Sequence, residues 1–334
     1  MDSRQETVNT RNMQKPKWCV LLCALIFCLL VACSRSSPVQ QAQTTNQQPA
    51  TGCSAAKLRS QIEELARSTG GPVGVAVNLT DNGELVSLNG QQHFPMQSVY
   101  KLPIGMAVLE KIDQGKLKLD QKVTVNPAEY VRVGQYSPIR DKNPRGVELP
   151  LKDLLRYAVS ESDGTASDVL MRVVGGAEVV RNYLHNLGIE GLMVLDTEKE
   201  IGKSPEVQYR NWATPEAALA LLKVVADGRS LTPESHKLLM ELMTETPTGL
   251  KRIKGQLPPG TVVAHKTGTG GGEGMISAVN DIGLITLPNG KPLAIAVFIS
   301  DTKLDRDSAE AVIAKISRAA WDCSTNSEAS SSPH

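Results

Sequence analysis

The sequence predicts an α/β fold of the α+β kind: an antiparallel sheet drawn from both ends of the chain, with flanking helices and an all-helical insert. Three observations predict it. Val73–Thr80 and Glu84–Asn89 flank Asp81-Asn82-Gly83, whose Asn-Gly pair favours the primed turn of a hairpin. Helical patterns dominate from Val99 to Glu245. Strand patterns then return at Thr261–Gly268, Met275–Leu287 and Leu293–Ser300, the last two joined through Pro288-Asn289-Gly290. Hairpins at the two chain ends can share one sheet, with the middle as the insert.

In chain order, Lys15 and Lys17 precede an apolar stretch, Trp18 to Ala32, short for a membrane span and suited to a secretory signal. It ends Leu30-Val31-Ala32-Cys33, which resembles a bacterial lipoprotein processing box, so residues 1–33 read as a signal with Cys33 the lipidated residue. Residues 34–52, rich in Ser, Gln, Thr and Pro, read as a flexible tether. A helix beginning at Ser98 carries Leu102, Met106, Leu109 and Ile112 at helical spacing and stops at Gly115. Pro103 is tolerable there because it lies near the helix start. The run Leu149 to Val159 is strongly helical, and a second helix begins near Thr165, which places Ser162-Asp163-Gly164 on a tight connection with Asp163 or Thr165 as N-cap. Thr214-Pro215-Glu216 opens another helix, with proline at the first helical position. A final helix runs from about Arg306 to Asp322, and 324–334 reads as a disordered tail.

Three short strings carry chemistry: Ser98-Val-Tyr-Lys101, Ser162-Asp163-Gly164 and Lys266-Thr267-Gly268. On a helix, residues three apart share a face, so the Lys101 amine sits over the Ser98 hydroxyl and can activate it as a nucleophile. Ser162 supplies a second hydroxyl for proton delivery to a leaving nitrogen. Lys266, on an edge strand beside the cleft, offers a fixed positive charge for a substrate carboxylate. Gly268 and Gly270 would let a ligand approach the backbone closely. The Thr269 amide, with that of Ser98, would form an oxyanion hole. Singly, each string has an ordinary alternative: an exposed Ser and Lys on a helix, a helix cap, or a phosphate loop. The glycine run to Gly274 fits neither a dinucleotide nor a Walker pattern.

In this order the strings resemble those of class A β-lactamases over about Cys53 to Cys323. Glu198 lies 36 residues after Ser162 and 68 before Lys266, and Glu198-Lys-Glu-Ile-Gly202 resembles the family's Glu-x-x-Leu-Asn loop. The resemblance implies a five-stranded sheet, an α/β part at about 53–95 and 246–323, and a helical part at about 96–245. It implies hydrolysis of β-lactams through a serine acyl-enzyme, with Ser98 as nucleophile, Lys101, Ser162 and Lys266 assisting, and Glu198 as general base. Whether Lys101 or Glu198 takes the first proton stays open. Tyr136, in Tyr136-Ser-Pro138, resembles the aromatic wall of the family's cleft. Arg252 resembles an arginine that some members use as a second carboxylate clamp, beside Thr267 and Thr269. Cys53 and Cys323 begin the first helix and end the last, which pack together in the resembling fold, so a disulfide between them is expected. Two positions depart from the pattern: Gly164 and Gly202 stand where Asn is usual. Losing both amides predicts a roomier site.

A net charge of +1, with 41% hydrophobic and 21% charged residues, gives no argument for nucleic acid. The histidines (93, 185, 236, 265, 334) show no metal-ligand spacing, so neither metal nor other cofactor is expected. The expected protein is an exported monomer of the periplasm or cell envelope, anchored to a membrane by lipid. The alternatives are a D,D-peptidase or transpeptidase, which shares Ser98, Lys101, Ser162 and Lys266 but would lack the deacylating role of Glu198, and a non-catalytic envelope lipoprotein that binds cell-wall fragments.

Overall fold

The computed structural model describes residues 53–79, 83–272 and 275–331. Cys33, the signal and the tether lie outside the described residues, as does the turn at Asp81-Asn82. Helix α1 (Ala55–Arg67) leads into β1 (Val73–Asn78), β2 (Leu85–Leu88) and a short β3 (Phe94–Pro95). A 3-10 turn at Gln97–Tyr100 feeds α2 (Lys101–Asp113), then β4 (Lys122–Val125), α3 (Pro138–Lys142), β5 (Val147–Pro150), α4 (Leu151–Val159), α5 (Gly164–Val174) and α6 (Ala177–Asn186). After β6 (Leu192–Met193) come the single turn α7 (Glu198–Ile201), β7 (Trp212–Ala213), α8 (Pro215–Asp227) and α9 (Pro233–Thr244). The chain closes with β8 (Val263–Gly272), β9 (Met275–Thr286), β10 (Pro292–Thr302) and α10 (Arg306–Ser331).

The main sheet has the order β2-β1-β10-β9-β8, with every neighbouring pair antiparallel. Strands from both chain ends therefore share one sheet, as expected, and β8 forms its edge. Side chains alternate across a strand, and both faces are covered. On β10, Ala294, Ala296 and Phe298 enter the core shared with α2, α4, α5 and α8, while Leu293, Ile295, Val297 and Ile299 enter the core shared with α1 and α10. Helix α2 is buried from Lys101 through Leu109, the mark of a central element rather than an amphipathic surface one. Gly105 permits that depth, because a Cβ there would lie 2.7 Å from Val159 Cγ2 on α4. A disulfide joins Cys53 to Cys323, tying the entry to α1 to the middle of α10 on the sheet face opposite α2.

Local expectations fared unevenly. Thr214 and Asp163 cap their helices as expected, accepting the amide hydrogens of Ala217 (3.1 Å) and Ala166 (2.9 Å). Ser98 sits not in an α-helical first turn but in the 3-10 turn, whose first residue, Gln97, has φ +49°. Leu149 and Pro150 pair with β4 instead of starting α4. The last helix continues past Asp322 to Ser331, since no Gly or Pro intervenes before Pro333 and Thr325 Oγ1 bonds back to the Trp321 carbonyl at 3.0 Å.

Candidate active site

Ser98, Lys101, Ser162 and Glu198 line one cleft of about 1080 Å³ between β8, the start of α2 and the α7 segment, with Lys266 buried behind Ser162. The rigid wall comes from the core. Lys101 is 2% exposed, and its three ammonium hydrogens face Ser98 Oγ (2.9 Å), the Ser162 carbonyl (2.8 Å) and Glu198 Oε1 (2.9 Å). Ser98 Oγ stands 3.5 Å from Glu198 Oε1. Lys266, buried on the sheet edge, donates to Ser162 Oγ at 2.9 Å. Burial, and then the charge of Lys101, pushes the Lys266 amine well below the usual lysine range. Gln97 and Ser162 both hold positive φ, +49° and +64°, backbone strain of the kind that surrounding structure must impose. At Ser162 that imposition is visible. Asp163 accepts from Ser137 Oγ (3.0 Å) and the amides of Ile139 (2.8 Å) and Ala166 (2.9 Å), locking the turn between α4 and α5.

The opposite wall is the segment from Leu195 to Asn211, held by polar bonds. Buried Asn211 accepts the amides of Leu195 (2.8 Å) and Asp196 (2.9 Å) and donates to the Asp196 carbonyl (2.8 Å), closing the segment on itself. Arg210 pairs with Asp196 at 3.2 Å. Asp168, on α5, accepts the amides of Glu198 (2.7 Å) and Lys199 (2.9 Å) at the start of α7. Burial, then the charge of Glu198, raises the Asp168 carboxyl to about 7. Further along, Gln208 Oε1 accepts from Gln97 Nε2 (2.7 Å) and Ser277 Oγ (2.6 Å), fastening the segment to the turn that carries Ser98 and to β9.

The model of the β-lactamase enzyme family matches residues 57–323. The chain belongs to that family. It is 42% identical over 267 residues to the extended-spectrum β-lactamase PER-1 of Pseudomonas aeruginosa, covering 79% of this chain and 86% of that protein. It is 37% identical to β-lactamase VEB-1 of the same organism, again over 79% of this chain and 89% of that one. Among solved structures, a β-lactamase from Chitinophaga pinensis DSM 2588 is 44% identical, with a TM-score of 0.77 over 79% of this chain and 98% of that one. The TLA-1 extended-spectrum β-lactamase is 42% identical, with a TM-score of 0.78 over 80% and 98%. This is a class A serine β-lactamase, a hydrolase of β-lactams and thereby an agent of resistance to them.

Within this β-lactamase the binding residues need adjustment. Tyr136 stands exposed on the cleft rim, and Thr267 Oγ1 lies 2.7 Å from Thr248 Oγ1 on the floor. Arg252 also borders the cleft, but its guanidinium is already engaged. It binds Glu310 (3.1 Å), the carbonyls of Gly268 (3.0 Å) and Asn280 (2.8 Å), and Thr269 Oγ1 (2.6 Å). It therefore buttresses Thr269 rather than presenting a free clamp. Gly268 and Gly270 serve the chain itself: a Cβ on Gly268 would meet Gln97 Cβ at 3.2 Å, and one on Gly270 would meet Ser277 Oγ at 2.7 Å. Nor do Gly164 and Gly202 open the site. A Cβ on Gly164 would touch the Tyr136 carbonyl (3.3 Å), Val131 Cγ1 (3.3 Å) and Glu198 Cγ (3.4 Å), and the space beside Gly202 is filled by Gln135. Sequence reading missed Asp168, Asn211, Gln208 and Gln135. Asp168 left a signal, a single acid amid the apolar Ala166, Val169, Leu170 and Met171 of a buried helix.

Proposed function

We propose that Ser98 attacks the lactam carbonyl and surrenders its proton to the Lys101–Glu198 pair. The observation that carries this is Lys101 Nζ, 2.9 Å from Ser98 Oγ and 2.9 Å from Glu198 Oε1, so that this nitrogen can hand a proton to the carboxylate and take the one Ser98 loses. The developing oxyanion is received by the amides of Ser98 and Thr269. Ser162, hydrogen-bonded to the depressed Lys266 amine, passes a proton to the departing nitrogen and regains the one that the Lys101–Glu198 pair took from Ser98, which leaves Glu198 again a carboxylate. Glu198 then activates water to release the acyl group. Thr267, Thr269 and Tyr136 hold the substrate, with Arg252 acting through Thr269.

Mass spectrometry after brief exposure to a slow β-lactam tests this. The adduct is expected on the peptide containing Ser98 and lost, with activity, in Ser98→Ala. An adduct on Ser162 contradicts it. The relatives titled extended-spectrum enzymes support an extended-spectrum activity here, tested by assaying a penicillin and a chromogenic cephalosporin side by side. Residues 53–323 form the catalytic domain, a reading supported by the family match over residues 57–323. The apolar run ending Leu30-Val31-Ala32-Cys33 supports export to the bacterial envelope and lipidation at Cys33. Cys33→Ser is expected to abolish fatty-acid labelling, and equal labelling of both proteins contradicts it.

A further inference from the structure

The rim segment Arg132–Tyr136 reaches the general-base segment through one side chain. Gln135 Nε2 donates at 2.6 Å to the Glu198 carbonyl, the oxygen that also accepts the Gly202 amide at 2.9 Å. Gln135 Oε1 is sealed from solvent and has no hydrogen-bond partner. A buried acceptor left unpaired is unfavourable, so the surroundings as well as the Nε2 bond must hold the amide in place. Those surroundings are explicit. Arg140 Nη1 donates to the carbonyls of Val131 (3.1 Å), Arg132 (2.7 Å) and Gln135 (3.0 Å), and the Gly164 amide donates to the Tyr136 carbonyl at 3.0 Å. Backbone on both sides of the Gln135 side chain is thereby fixed. The vacant side of the pocket is glycine: a Cβ on Gly202 would stand 2.8 Å from Gln135 Cδ and 3.0 Å from its Nε2, well inside carbon contact distance.

We propose that Gln135 is a positioning residue for Glu198, supplying from the rim the side-chain amide that takes up the space beside Gly202. The proposal rests on the acyl-enzyme roles given above to Ser98 and Glu198. Helix α7 is a single turn, so few bonds of its own set its rotation. Asp168 holds its amides from one side, and Gln135 holds its first carbonyl from the other. Together they fix the direction in which the Glu198 carboxylate points, which deacylation requires and attack by Ser98 depends on less.

The test is a two-position exchange in the mature enzyme, followed by stopped-flow hydrolysis of a chromogenic cephalosporin and mass spectrometry of the trapped acyl-enzyme. Gln135→Ala is expected to slow deacylation roughly tenfold, the loss of about one charge-free hydrogen bond and its packing. Because only the second step slows, kcat and KM fall together, kcat/KM stays within about threefold, and acyl-enzyme accumulates. Gly202→Asn alone is also expected to lower kcat, since two amides contend for one space. In the Gln135→Ala background the same Asn has room and returns kcat to within about threefold of the parent. Gln135→Glu keeps the shape but removes the donor, and is expected to lose kcat with acyl-enzyme accumulating, as in Gln135→Ala. Parental kcat in Gln135→Ala or Gln135→Glu, or equal damage from Gly202→Asn in both backgrounds, overturns the proposal. A parent enzyme that formed no Ser98 adduct would instead overturn the acyl-enzyme roles.

Discussion

The two walls of the cleft are built by different physics. Ser98 projects from the 3-10 turn that feeds α2, Lys101 from α2 itself and Lys266 from β8, all elements sunk in apolar core, with buried neighbours on either side. Glu198 projects from a single helical turn whose place is set by polar bonds: Asn211, Asp168 and Gln135 bind its backbone or that of its flanks, and Gln208 binds the side chains of Gln97 and Ser277. Packing resists small changes over many contacts, whereas a polar clasp fails when one partner is removed. On the proposed mechanism the clasped wall governs release and shares in attack only through Lys101, so mutations at the two walls should separate the steps.

The largest expected effect probes the core alone. The Cys53–Cys323 disulfide closes a loop of 270 residues, worth roughly 5–6 kcal/mol in the chain-entropy model as an upper figure. Replacing both cysteines by serine should lower stability by several kcal/mol, measured by denaturant unfolding, yet leave acylation and deacylation rates of the folded enzyme unchanged. A selective fall in deacylation would erase the distinction between the walls.

Asn211→Ala comes next. It strands three backbone groups at the neck of the loop, each worth about 1–3 kcal/mol when buried and unpaired. Turnover should fall on the order of 10- to 100-fold through deacylation, with acyl-enzyme accumulating at a near-parental rate in stopped flow. Parallel loss of both steps would show that the segment also supports the nucleophile.

The smallest effect concerns charge at the same wall. Asp168 titrates near 7 when folded, against 3.8 as its ordinary value, so the native state binds the extra proton between those limits. Its contribution to stability is complete below about pH 4 and is lost as pH rises through 7. In Asp168→Asn this slope disappears: urea unfolding at several pH values should show the variant gaining on the parent from pH 4 to 7. A constant difference across that range would mean that Asp168 is an ordinary carboxylate.

The same division governs what could be read from the sequence. Strand alternation and the buried α2 pattern are repeated signals, and they announced the sheet and the nucleophile helix. The three strings that meet at the cleft could be singled out because the chemistry they suggest demands fixed residue types at short spacing. The clasp has no such signature. Asn211 meets Asp196 across fifteen residues, Gln135 meets Glu198 across sixty-three and Gln97 meets Gln208 across more than a hundred, each through a common polar residue. Gly164 and Gly202 misled for the same reason: an absent side chain says nothing of which distant one moves into its place, and at Gly202 that is Gln135. Arg252 lines the cleft, as its motif implied, but the motif could not disclose Glu310, from α10, as its partner.

One measurement bears on the division between walls most directly: rapid-quench mass spectrometry of Glu198→Ala with a good β-lactam substrate. The two-wall account predicts a burst approaching one acyl group per enzyme, located on Ser98, followed by near-zero release. Absence of any adduct on the millisecond-to-minute scale would contradict it, because Glu198 would then be as necessary to attack as to release.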